Sequence, residues 1–249
     1  MVVLDIAVWQ AHLLPALAIG LAAFMQGITG FGLVIIAAPL LMIFYDPRET
    51  VLMMFVVALL TGIVQTFLVW KDARYKLIGT ILIGYIVAQP FGFWIFAHFS
   101  ANQLKLLVST VILISLLLMQ FTHHKFSLCR RNSILMGFLA GICGVTTGMA
   151  GPPLILYFAY TELTPAELRG TSVVFFLISG IISIGFFLFQ GVPMYAAAVE
   201  SLYLIPALVI GLLLGHAVIR CVSVKLFRFM IFVMLYFICA YMFYELAVQ

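Results

Sequence analysis

The chain carries little charge. Of its 249 residues, 8% are Asp, Glu, Lys or Arg, against about 25% in a soluble domain. That excludes a water-solvated fold and implies an integral membrane protein. No Asp or Glu falls in the middle of an apolar run, which argues against the carboxylate relays of many pumps. Cysteine is sparse, and Cys129, Cys143, Cys221 and Cys239 show no paired metal spacing. They read as free, small apolar side chains. There is no HExxH, no GxSxG, no pair of intramembrane aspartates and no nucleotide-binding motif. No catalytic residue, metal ligand or cofactor is therefore assigned, and ATP-driven transport by this chain alone is not expected. Met1 to Gln10 lack a basic n-region and a small-residue cleavage site, so no cleavable signal peptide is expected. Every polar gap is short, so no soluble domain is expected. The net charge of +4 comes from loop residues. It is a topology signal and points to no nucleic-acid partner.

Apolar residues make up 66% of the chain. Runs near the length that spans the hydrocarbon core, about 20 residues, are expected at 49–70, 77–97, 104–121, 168–190, 196–219 and 226–246. Shorter runs lie at 11–26, 33–45, 133–143 and 154–161. Two breaks divide the short runs. One is Gln26-Gly27-Ile28-Thr29-Gly30-Phe31-Gly32. The other is Gly144 to Pro153, with three glycines and two prolines in ten residues. Glycine loses backbone entropy in a helix, and proline lacks the N–H and clashes with the preceding turn.

The pattern recurs at a shift of 118 residues. That shift places Thr29-Gly30 on Thr147-Gly148, Pro47 on Pro165, Glu49 on Glu167, Gly62 on Gly180 and His98 on His216. Leu and Val matches are cheap in so apolar a chain, whereas Gly, Pro, Glu and His matches at one shift are not. The expected organisation is a first membrane repeat over 1–121, a basic cytoplasmic linker over 122–131 and a second membrane repeat over 132–249. The expected fold is all-α: two inverted repeats, each a broken short-helix hairpin plus three transmembrane helices. The count is about ten segments, tallied as eight full spans plus two broken or re-entrant hairpins. The positive-inside rule supports the inversion. With hairpins, Lys71/Arg74/Lys76, Lys125/Arg130/Arg131 and Arg220/Lys225/Arg228 share the cytoplasmic side, and both termini lie outside.

In lipid, irregular backbone must be buried in protein or line a cavity. A half-helix that starts after a break aims free N–H groups and a positive dipole end at the gap, which suits an anion. The expected donors are Gly32, Leu33 and Val34 in repeat 1, and Gly148, Met149, Ala150 and Gly151 in repeat 2. Thr29, Thr146 and Thr147 add hydroxyls. The candidate binding residues are Gln26, Thr29, Gly30, Phe31, Gly32, Gln65, Thr146, Thr147, Gly148, Gly151 and Arg169. The alternative is that the breaks are tight packing kinks. Gln65 and Gln89 either face a cavity or bond between helices. Arg169 either draws an anion to the cytoplasmic mouth or snorkels at the interface. His98 and His216 end corresponding helices and are candidate proton carriers. Trp70 and Trp94 are expected in interfacial belts.

These motifs resemble the sulfite exporter TauE/SafE family, also called the toluene-sulfonate uptake permease (TSUP) family. The resemblance rests on Gly27-Ile28-Thr29-Gly30-Phe31-Gly32 with Ala38-Pro39, on Gly144 to Pro153, and on Leu168-Arg169-Gly170-Thr171-Ser172. It covers essentially the whole chain. It implies a multi-pass permease of a bacterial-type inner (plasma) membrane, with a small sulfur-containing anion such as sulfite or an organosulfonate as substrate. The lipid bilayer is the other implied partner, and homo-oligomer formation stays open. A passive anion channel of the same architecture and a membrane-embedded enzyme are the alternatives.

Overall fold

The computed structural model describes residues 6–29, 33–121, 128–159 and 161–218, with six single positions between Val233 and Tyr244. Among the described residues the regular structure is entirely helical. The helices are α1 (Ile6–Thr29), α2 (Leu33–Leu41), α3 (Pro47–Val69), α4 (Tyr75–His98), α5 (Ala101–Phe121), α6 (Arg130–Thr147), α7 (Gly151–Ala159), α8 (Pro165–Phe189) and α9 (Tyr195–Val218). Four of them, α3, α4, α8 and α9, are long and apolar enough to cross a membrane, and shorter apolar stretches occupy His12–Ile28 and Ala101–Ile114. The tally of eight full spans is thus not reached among the described residues. All but six positions of the run expected at 226–246 lie outside them, as do the cluster Arg220/Lys225/Arg228, Lys125, and Gly30, Phe31 and Gly32.

Helix starts follow from local chemistry. Asp46 caps α3 by accepting from Arg48 N at 2.8 Å, with Pro47 at the first helical position. That position tolerates proline because its N–H would be unpaired anyway. Thr164 and Glu167 form a reciprocal capping box at the start of α8, the arrangement that satisfies two orphan donors at once. Elements recur 118 residues apart: Leu33 and Gly151 open α2 and α7, and Pro47 and Pro165 open α3 and α8.

The second break is narrower than the sequence suggests. Gly144 to Thr147 remain helical, and only Gly148 to Ala150 interrupt the chain. Gly144 stays in α6 because it packs where a Cβ would meet the Tyr85 hydroxyl at 2.9 Å. Close packing, not a bend, explains its small size. Pro152 and Pro153 fall in the first turn of α7, where proline costs no hydrogen bond.

The short pairs fold back on themselves. Ser133 near the start of α6 bonds Tyr157 near the end of α7 at 3.0 Å. At the other end of the molecule His12 Nε2 lies 2.7 Å from Glu200 Oε2, and Tyr45 OH donates to the same oxygen at 3.3 Å. Thus α1 enters and the segment after α2 returns beside one residue of α9. Burial and the neighbouring Glu200 carboxylate push the Tyr45 hydroxyl well above its usual range, so it stays a donor.

Two seams hold these pairs in place, and each joins the halves of the chain. Along α4 and α6, Gly84 packs on Ile134, Gly137 on Ile81, Gly141 on Tyr85 and Gly92 on Val145. The contacts advance together, so the two helices run parallel. Along α1 and α9, Gly20 packs on Ala207 and Gly211, and Gly27 packs on Gly215. These helices are parallel too. Small residues four apart, such as Gly137/Gly141 and Gly211/Gly215, let backbones approach closely where lipid removes the hydrophobic drive. Between the seams α3 and α8 cross antiparallel: Gly62 lies on Leu177, and Gly170 lies on Val69 to Ala73.

Candidate functional site

A cavity of about 70 Å³ lies where the two broken pairs meet the middles of α3 and α8. One water needs about 10–15 Å³ of such space, so the cavity holds several waters or a small polyatomic ion. Its walls come in partners 118 residues apart: Gln26 with Gly144, Leu33 with Gly151, Phe55 with Val173, Ala58 with Phe176, Thr61 with Ser179, and Gly62 with Gly180. Tyr85, Gln65, Gly148 and Ala150 complete the polar and small lining. Among the described residues, no Asp, Glu, Lys or Arg lines it.

The half-helices α2 and α7 both begin at this cavity, at Leu33 and at Gly151. Several expected donors are already occupied. Leu33 N donates to Gln26 Oε1 at 3.2 Å, so Gln26 caps α2. Gly148 N donates to Gly144 O at 2.9 Å, and Met149 N to Thr147 Oγ1 at 3.2 Å. Thr147 Oγ1 itself donates to Cys143 O at 2.6 Å, and Thr146 Oγ1 to Ile142 O at 2.7 Å. Both hydroxyls therefore face their own helix, the usual outcome for a Thr in lipid with a free carbonyl one turn back. At the second break this leaves Ala150 and Gly151 beside the cavity, since Pro152 and Pro153 have no N–H.

Gln65 stands out. It is 8% exposed, lines the cavity and makes no hydrogen bond among the described residues. Its amide offers two donors and one acceptor. Tyr85, 1% exposed, shares a 2.8 Å hydrogen bond with Ser183 Oγ. Gln89 reaches the same hydroxyl at 3.3 Å, so Gln89 bonds between α4 and α8 and does not line the cavity.

Of the sequence candidates, Gln26, Gln65, Gly148 and Gly151 come together at the cavity. Thr146 and Thr147 sit behind it, fully buried. The Thr29 side chain and Gly30, Phe31 and Gly32 fall outside what the structure describes. Arg169 lies in the first turns of α8, away from the cavity lining, with its Nε buried and without a hydrogen-bond partner among the described residues. His98 closes α4, bonded through Nδ1 to Trp94 O at 2.9 Å and stacked on Trp94. His216 is exposed in the last turn of α9.

A family model described as sulfite exporter TauE/SafE matches residues 15–242. The chain belongs to the TauE/SafE family. Neither the curated proteins nor the solved structures gave a match. TauE/SafE is a transporter family, and four apolar spans make this member a multi-pass membrane protein. The match takes in both breaks and the Arg169 motif of this TauE/SafE protein. Sequence reasoning missed Thr61, Ser179 and Tyr85 in the lining. One signal was present: Thr61 and Ser179 are polar residues at the same 118-residue shift.

Proposed function

We propose that the protein is a secondary transporter of small sulfur-containing anions, such as sulfite or organosulfonates, and that the anion binds in the cavity between the breaks. The observation that carries this reading is a mostly apolar cavity with a few polar side chains, Gln26, Thr61, Gln65, Tyr85 and Ser179, and no formal charge among the described residues, at which two half-helices start. Backbone N–H groups and the Gln65 amide offer donors in several directions, which suits a tetrahedral or pyramidal oxyanion. Dipoles also hold a mobile anion less deeply than a fixed cation would, the compromise that channels make. Uptake of sulfite, thiosulfate, sulfonates and carboxylates into proteoliposomes tests it. Trans-stimulated counterflow is expected with a sulfur oxyanion. Uptake without trans-stimulation means a passive channel, and no uptake of any of these anions removes the reading.

Gln65→Leu probes the site directly. A hydrogen bond to a charged group contributes about 1.5–3 kcal/mol, so the half-saturation concentration is expected to rise roughly 10- to 100-fold. Stability should hold, because Gln65 has no hydrogen-bond partner to lose among the described residues. An unchanged half-saturation value places the anion elsewhere.

The reading includes two inverted repeats, 1–121 and 132–249, in a bacterial-type inner membrane. The antiparallel course of α3 and α8 and the fold-back of both short pairs support it. Cysteines placed at Arg130 and Gln249 are then expected to label from opposite sides; labelling from one side refutes the ten-segment arrangement. His98 and His216 are the proposed proton carriers, since they end corresponding helices, 118 residues apart, and no Asp or Glu falls in the middle of an apolar run. A variant with both changed to Gln is expected to lose pH-gradient-driven uptake, and unchanged uptake removes them from that role.

A further inference from the structure

A second concavity opens at the surface between the first turns of α4 and α6, away from the transport cavity. It is a groove of about 620 Å³ whose lining includes Arg74, Tyr75, Lys76, Thr80, Leu128 and Arg130. Because α4 and α6 run parallel, their N-termini open side by side on it. Neither helix has an acidic residue in its first turn, and neither N-cap residue, Arg74 or Cys129, caps with its side chain. A helix N-terminus is the positive end of the dipole and favours negative charge. Here the sequence puts cations there instead. Arg74 is paired with Glu167, Nε to Oε1 at 2.8 Å. Lys76 and Arg130 have no carboxylate within salt-bridge distance among the described residues. Two positive helix ends and two unpaired cations around one groove make an arrangement that an anion would stabilise.

The surroundings say which anion. Tyr75 and Trp70, each about half exposed, flank the groove end of α4, and Lys71 Nζ sits 5.7 Å above the Trp70 ring. Aromatic residues with basic neighbours mark the level of lipid headgroups. From the groove inward, α4 and α6 present exposed apolar side chains, among them Ile83 and Val87 on α4, and Leu135 and Leu139 on α6. We propose that the groove binds an anionic phospholipid. Its phosphate sits against Lys76, Arg130 and the two helix N-termini, and its acyl chains lie along the outer faces of α4 and α6. Basic recesses between membrane helices recognise headgroups in this way. The positive-inside orientation places the lipid in the cytoplasmic leaflet. The proposal stands apart from the transport cavity, with which the groove shares no lining residue.

The test is thermal unfolding of the purified full chain in neutral detergent, with phosphatidylglycerol, phosphatidylcholine or inorganic phosphate added in turn. Phosphatidylglycerol is expected to raise the Tm with saturation, and the other two to leave it unchanged. Each removed cation should weaken the lipid's apparent affinity about fivefold. Lys76→Gln with Arg130→Gln should therefore weaken it roughly 25-fold, while Arg131→Gln, outside the groove lining, should leave it unchanged. Should the double variant fail to fold, the two single variants read the same loss separately. Phosphatidylcholine giving an equal shift, or the variants keeping full affinity, overturns the proposal. Inorganic phosphate reproducing the shift means a free-anion site and overturns the lipid assignment.

Discussion

Gly148→Leu is expected to bring anion uptake to background while the protein still folds. Gly148 has φ +73°, the left-handed region, where a residue with a Cβ costs roughly 1–2 kcal/mol. A Cβ there would also sit 3.1 Å from the Met54 side chain and 3.6 Å from the Val51 backbone. A leucine side chain must then turn into the cavity, whose volume is only about 70 Å³. The strain alone is within what most domains survive, so a monodisperse peak on size exclusion is expected. Gly148→Ala separates the two effects. It carries the backbone strain without filling the cavity, and should keep partial uptake. Full uptake by Gly148→Leu would show that substrate does not pass beside this glycine.

Gly84→Leu should have the opposite profile: no folded protein to assay. An added Cβ at Gly84 would lie 2.0 Å from Ile134 O, and one at Gly137 would lie 2.0 Å from Ile81 O. Both clashes are with backbone, so no rotamer change relieves them, and α4 must move off α6 along the whole seam. Ordinary overpacking costs about 1–3 kcal/mol, and this substitution is expected to exceed that. Gly79→Leu is the control, because a Cβ there meets nothing within 4 Å. It should leave Tm and uptake near wild type. A folded Gly84→Leu variant with normal Tm would mean that the seam is looser than drawn.

Much of the architecture was legible in the sequence because lipid enforces simple rules. A long apolar run in lipid must satisfy its backbone within itself, as a helix does, so the described helices fall within about five residues of the expected runs. The break after Thr147 was visible because Gly148, Pro152 and Pro153 cannot all sit inside a helix. The finer site was less legible. Nothing in the sequence says that Gln26 will turn back to cap Leu33, because that depends on the chain's path through residues between them. Thr146 and Thr147 look like ligands by type, yet each finds a carbonyl one turn back before it finds a cavity. Gly84, Gly137 and Gly141 were present as small residues, but their pairing joins segments about 50 residues apart. The His12–Glu200 contact spans 188 residues, beyond any local pattern.

The glycine seams also fix an order of events during biosynthesis. Helices α1 and α4 are made before their seam partners exist: α1 packs on α9, and α4 on α6. Polypeptide leaves the ribosome at about 5–20 residues per second. His12 therefore waits roughly 10–40 s for Glu200, 188 residues later. During that interval the small-residue face of α1 is open to lipid or to another nascent helix with the same spacing, whereas the face of α4 waits only for α6, about 50 residues later. Assembly by way of α6 comes first, since α6 is made directly after α5, and the α1–α9 closure comes last. A nascent chain stalled after α8 should thus hold its second hairpin in place and leave its first one unclasped.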